Sequence, residues 1–145
     1  MGVAEEERRV LVVIYDMLDP QVAGNVGRIL DTLSDRPEAA HMATDGIKWE
    51  TSREAAQAVT AVPGDGLRLV ADHFDVHIQG GVAWAEGLGR LMNQSGAERP
   101  VRMSGVFVRE HGQWVIVQSH ASLPVQDAEI FKLATGWGFQ PDPLL

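Results

Sequence analysis

The chain has 145 residues, of which 45% are hydrophobic and 22% charged, enough for one globular domain with its own core. Twelve Lys and Arg stand against 20 Asp and Glu, and a formal charge of −8 argues against nucleic acid or an anionic membrane surface as partner. There is no cysteine, which excludes disulfides, thiolate metal sites and cysteine nucleophiles, and suits a cytoplasmic location.

The start carries Glu5, Glu6 and Glu7 where a signal peptide needs basic residues, and Glu6 breaks the myristoylation pattern. The apolar run Val10 to Tyr15 is too short to span a bilayer. The expectation is a single cytoplasmic domain over residues 1–145, with a core at about 10–125 and a tail at 126–145.

From Glu5 to Leu18, Val10, Val13, Ile14, Met17 and Leu18 recur at helical spacing and predict a first helix. Asp19 is a suitable N-cap for a second helix with Pro20 at its first position; Val22, Val26, Ile29, Leu30 and Leu33 form its stripe. His41 to Glu50 has room for a small hairpin around the turn pair Asp45-Gly46. Thr51 and Glu54 have capping-box spacing and predict a third helix, with Ala55, Ala56 and Val59 buried, that stops at Pro63-Gly64-Asp65-Gly66.

After Gly66 the hydrophobic period changes to two. Leu67 to Gln79 alternates through Val70, Phe74, Val76 and Ile78, and Gly80-Gly81 is a hairpin signal. Val82–Met92, Pro100–Arg109 and Trp114–Leu123 are the following strands, separated by the loop Asn93–Arg99 and the turn Glu110–Gln113. Short connections imply an antiparallel meander. A short helix over Asp127–Ala134 and a Pro-rich end complete the chain. Helices followed by a meander read as α+β, a long twisted sheet curling around helices on one face.

Arg102-Met-Ser-Gly-Val106 and the spacing Trp114-x-Ile116-x-x-x-His120-x-Ser122 resemble the last two strands of SnoaL-like domains, in the nuclear transport factor 2-like superfamily. Val82-Ala-Trp84, His41-Met-Ala-Thr-Asp-Gly46 and Trp49-Glu-Thr-Ser-Arg-Glu54 fit in order, so the resemblance covers residues 10 to 125. It implies a cone of three N-terminal helices packed on a curved four-stranded antiparallel meander, to which the short hairpin read at 41–50 would be an addition. It also implies a homodimer through the outer sheet face and one apolar pocket per chain. Members include isomerases, polyketide cyclases and dehydratases alongside non-catalytic binding modules, so the fold leaves the chemistry open.

Within that frame, Tyr15 on the first helix stands where ketosteroid isomerases carry an oxyanion donor; the other reading is an amphipathic tyrosine beside the core. His120 and Ser122 share strand parity with Trp114, Ile116 and Gln118, so all are expected to face the cone, with His120 as acid or base or as a satisfied buried histidine. Arg102 and Ser104 share parity on the preceding strand; Arg102 either stabilises an anion in the pocket or pairs with an acid on the outer face. Trp49 and Trp84 are candidate pocket walls or core, and Glu86 a candidate base or a solvated carboxylate. His41 and Asp45 fall near the expected rim.

His73, Asp75 and His77 share one strand face, but the two imidazoles then stand roughly 13 Å apart at the backbone, too far for one ion, so no metal and no cofactor is expected. No nucleophile-elbow, P-loop or dinucleotide motif occurs, and Gly87-Leu-Gly89 reads as a bend or bulge. The expected function is the binding of a small hydrophobic molecule. The alternative is an acid–base isomerase, cyclase or dehydratase on a polyketide- or steroid-like carbonyl compound, with His120, Tyr15 and Arg102 catalytic and Trp49, Trp84, Ser104, Gln118 and Ser122 lining the pocket.

Overall fold

The computed structural model describes residues 2–18, 25–44, 48–61 and 66–136. Asp19-Pro20, Asp45-Gly46, Pro63-Gly64-Asp65 and the end after Gly136 lie outside them, as do the readings placed there. The elements are α1 (Val3–Leu18), α2 (Val26–Leu30), β1 (Ala40–Met42), α3 (Ser52–Ala61), β2 (Leu67–Gln79), β3 (Val82–Asn93), β4 (Glu98–Glu110), β5 (Gln113–Ser122) and α4 (Asp127–Gly136).

The sheet has five strands in the order β1-β5-β4-β3-β2. β2 to β5 form the expected antiparallel meander. The fifth strand is a correction to the four-stranded reading: β1 runs parallel to β5 and lengthens that edge, with His41 opposite Ser119. The other side of His41 pairs with Glu50, whose backbone exchanges hydrogen bonds of 2.9 and 2.7 Å with it. A three-residue strand with one bridge carries almost no periodicity, so its partner could not be read from its own residues.

Local chemistry sets each boundary. Asn25 caps α2, its side chain accepting from the Arg28 N–H at 3.1 Å. The capping box of α3 is present in full: the Glu54 N–H donates to Thr51 Oγ1 at 3.2 Å and the Thr51 N–H to Glu54 Oε2 at 2.9 Å. These contacts hold the Glu54 carboxyl below its ordinary range, the Thr51 backbone first and Lys48 after it. Between β4 and β5, His111 and Gly112 both take positive φ, 52° and 79°, as a tight hairpin turn requires.

The core lies between α1, α3 and the inner sheet face. Val10 and Ile14 of α1 meet Ala55 and Ala56 of α3, together with Phe74, Ala83, Ala85, Phe107, Trp114 and Ile116. α1 is also tied to the sheet by a buried polar contact. Glu6 accepts from Trp114 Nε1 at 2.8 Å and pairs with Arg109, whose guanidinium lies 4.7 Å over the Trp114 ring.

Two bulges aim the side chains. Asp72 is the extra residue where β2 shifts register against β3. Its carboxylate binds the Arg90 guanidinium at 2.8 to 3.0 Å, which holds the Asp72 carboxyl below its ordinary value. Because of this bulge, Leu67 and Leu69 share the inner face with Phe74, and Val70, expected among the inward residues, turns outward. Val117 is the second extra residue, where β5 shifts against β4. It reverses the alternation of every residue beyond it.

Candidate functional site

Between the helices and the inner sheet face lies a cavity of about 410 Å³. Ile14, Met17 and Leu18 of α1, Val59 of α3 and Leu69, Phe74, Met103 and Phe107 of the sheet are among the apolar residues of its wall. The volume and apolar lining suit a small organic molecule. The polar residues of this wall are His41, Glu50 and Ser119 near the β1 edge, with Ser104 and His120 bordering it from β4 and β5. Thr44, also on the wall, is exposed.

β1 and its neighbours place these groups. His41 is 2% exposed. Its Nδ1 lies 2.8 Å from Ser119 Oγ and its Nε2 3.1 Å from Ser52 Oγ. Ser52 donates its only hydroxyl hydrogen to the Ser34 carbonyl at 2.6 Å, so it can only accept from His41. His41 therefore carries its proton on Nε2. Burial pushes the imidazole pKa below its ordinary 6.5, which favours the neutral ring. A neutral ring with Nε2–H has a bare Nδ1, so Ser119 donates to it. The chain of donation runs from Ser119 through His41 and Ser52 to Ser34.

Glu50 belongs to the same wall because its backbone pairs with His41, and residues paired across antiparallel backbone project to one face. Its Oε2 is buried and has no hydrogen-bond partner among the described residues. Such an unpartnered buried acceptor beside an apolar cavity is costly and is a common mark of a binding or reacting position.

Of the catalytic and pocket residues expected from the sequence, Ser104 and His120 border this cavity and the others do not. The bulge at Val117 corrects the shared parity of β5: Trp114 and Ile116 face the core, while Gln118, His120 and Ser122 face outward. His120 pairs with Ser104, and Arg102 with Ser122, on the outer face. Trp49 and Trp84 are 51% and 41% exposed. Trp49, Trp84, Glu86, Ser104, Gln118 and His120 come together, but around a second depression of about 280 Å³ on the outer side. Tyr15 is 45% exposed and does not line the inner cavity. His77 stacks on Trp84 with ring centroids 5.4 Å apart and meets Glu86 at 2.8 Å, while His73 meets Asp75 at 3.1 Å. Among the described residues no three His, Asp or Glu gather as a metal site.

A family model described as a SnoaL-like domain matches residues 10–126. The chain belongs to the SnoaL-like domain family. No curated protein matches this SnoaL-like domain. Solved structures share its fold. A nuclear transport factor 2-like protein of unknown function from Pseudomonas putida has 16% identity over 89% of this chain and 94% of that one, with a TM-score of 0.72. A proposed dehydratase of the same family from Streptomyces avermitilis has 12% identity over 86% and 100%, also with a TM-score of 0.72. A protein with a cystatin-like fold from Novosphingobium aromaticivorans has 18% identity over 90% of each chain, with a TM-score of 0.70. At these identities the likeness concerns the fold. The SnoaL-like domain has no described helix long and apolar enough to cross a membrane.

Proposed function

We propose that this SnoaL-like domain binds a small, largely apolar molecule in the inner cavity, with the molecule's polar end against Glu50 and Ser119. The observation that carries this reading is the cavity itself: about 410 Å³, apolar on most sides, polar at one edge. The test uses the neutral dye N-phenyl-1-naphthylamine. Its fluorescence is expected to rise saturably with one dye per chain. Val59→Trp, which fills the cavity from α3, should weaken binding at least tenfold while leaving the circular dichroism spectrum unchanged. Equal dye affinity in the two proteins would count against the cavity.

The same reading places a homodimer on the outer sheet face, where Val82, Trp84 and Leu88 are 43%, 41% and 56% exposed. Sedimentation of the same samples is expected to give a two-chain particle; a single-chain particle at micromolar concentration contradicts it. A cytoplasmic location remains part of the proposal and rests on the absence of cysteine.

A second reading, acid–base catalysis on a carbonyl compound, is supported by the Glu50 carboxylate and the Ser119–His41 pair in one cavity. In that case Glu50 and His41 would be the acid–base groups, ahead of His120, Tyr15 and Arg102. Tight binding of the ketone probe described below would favour it.

A further inference from the structure

We infer that the cavity selects an apolar molecule whose polar end is a hydrogen-bond donor, an alcohol or an ammonium group, and discriminates against ketones and carboxylates. The inference rests on the binding reading above and adds the chemistry of the ligand's head group.

The hydrogen atoms along this edge can be counted. Ser52 gives its hydrogen to the Ser34 carbonyl. His41 gives its Nε2 hydrogen to Ser52. Ser119 gives its hydrogen to His41 Nδ1. Every hydrogen of this chain is thus committed before a ligand arrives. What Ser119 turns to the cavity is lone pairs. Glu50 lines the same wall and carries a buried carboxylate oxygen with no hydrogen-bond partner among the described residues. Both groups accept and neither donates.

The remaining polar side chains on the wall do not supply the missing donor at depth. Ser104 and His120 pair with each other across β4 and β5 and are exposed on the outer face. Thr44 is exposed, where water satisfies its hydroxyl. The backbone N–H groups of β3, β4 and β5 behind the apolar wall belong to the sheet ladder. A ketone or carboxylate oxygen entering this edge would meet lone pairs on Ser119 and negative charge on Glu50, and it would lose its water without replacement. An ammonium or hydroxyl hydrogen would meet an acceptor that has no other partner. Sites whose buried polar groups would be left unpaired reject the wrong head group strongly.

The test is a matched probe series on one ring: 2-naphthylmethylamine, 2-naphthalenemethanol, 2-acetonaphthone and 2-naphthoate, titrated calorimetrically at pH 8. The amine and the alcohol are expected to bind at least tenfold more tightly than the ketone and the carboxylate. Glu50→Gln keeps the shape of the side chain and brings an amide N–H to the same place, so the gap should shrink to less than threefold as the ketone gains a donor. A wild-type protein that binds the ketone or the carboxylate as tightly as the alcohol overturns the inference but leaves cavity binding standing. A gap that survives Glu50→Gln unchanged also overturns it. If no probe binds at millimolar concentration, the cavity-binding reading fails, and the inference fails with it.

Discussion

Gly87→Val is expected to lower the folding free energy by at least about 3 kcal/mol, at or beyond the upper end of the usual cost of overpacking. Gly87 lies in β3 opposite Phe74 of β2. A Cβ there would run into the His73 carbonyl oxygen and lie 2.5 Å from Phe74 Cδ1. Neither obstacle can step aside. The carbonyl is part of the β2 backbone, and the Phe74 ring is 9% exposed, fixed in the core below the cavity. The glycine is there because the ring lies across it, a close approach that only a missing side chain permits. Gly81→Val is the control. Nothing stands within 4 Å of a Cβ at Gly81, so a change under about 1 kcal/mol is expected. Urea denaturation of the two variants decides the matter, and equal stabilities would contradict the packing described.

The second large effect is expected at Glu6. This residue is 8% exposed and projects from α1 onto the β4–β5 hairpin. Glu6→Ala removes the acceptor of the Trp114 indole N–H, whose side chain is only 5% exposed, and releases Arg109 from its ion pair. An orphaned buried donor costs about 1–3 kcal/mol. The Arg109 side chain is 41% exposed and regains water, so the lost ion pair adds little. The sum is a loss of about 1–3 kcal/mol. Glu6→Gln keeps a carbonyl oxygen for the indole and should lose less than half as much. Thermal denaturation of both variants provides the check, and a Glu6→Ala protein within 0.5 kcal/mol of wild type, on the order of ordinary surface changes, would refute the anchor.

How far the sequence could be read follows from the range of each interaction. The α3 start was legible because Thr51 and Glu54 are three residues apart and complete their hydrogen bonds with each other. The hairpin turns at Gly80-Gly81 and His111-Gly112 were legible for the same reason. The SnoaL-like fold was legible from strand patterns that fit a known family. The face on which His120 stands was not. Parity counting assumes an unbroken strand, and Val117 becomes an extra residue only through its register with Val106 and Phe107 of β4. One inserted residue moved His120, Gln118 and Ser122 to the outer side and brought Ser119 and Ala121 to the cavity. Glu50 was missed because its role comes from a single bridge to His41, nine residues away, and not from any motif. His41 was noticed only for its place near a rim. Its two serine partners, Ser52 and Ser119, belong to different elements that meet only in the folded chain.

The inner cavity, and not the outer sheet face, is the proposed binding place of a small molecule. Nuclear Overhauser measurements on the complex with N-phenyl-1-naphthylamine test it directly. Contacts are expected from the naphthyl protons to the side chains of Ile14, Val59 and Met103 on the cavity wall. Contacts confined to Trp84 and Leu88 on the outer face, or to Ile130 and Phe131 on the exposed side of α4, would contradict it.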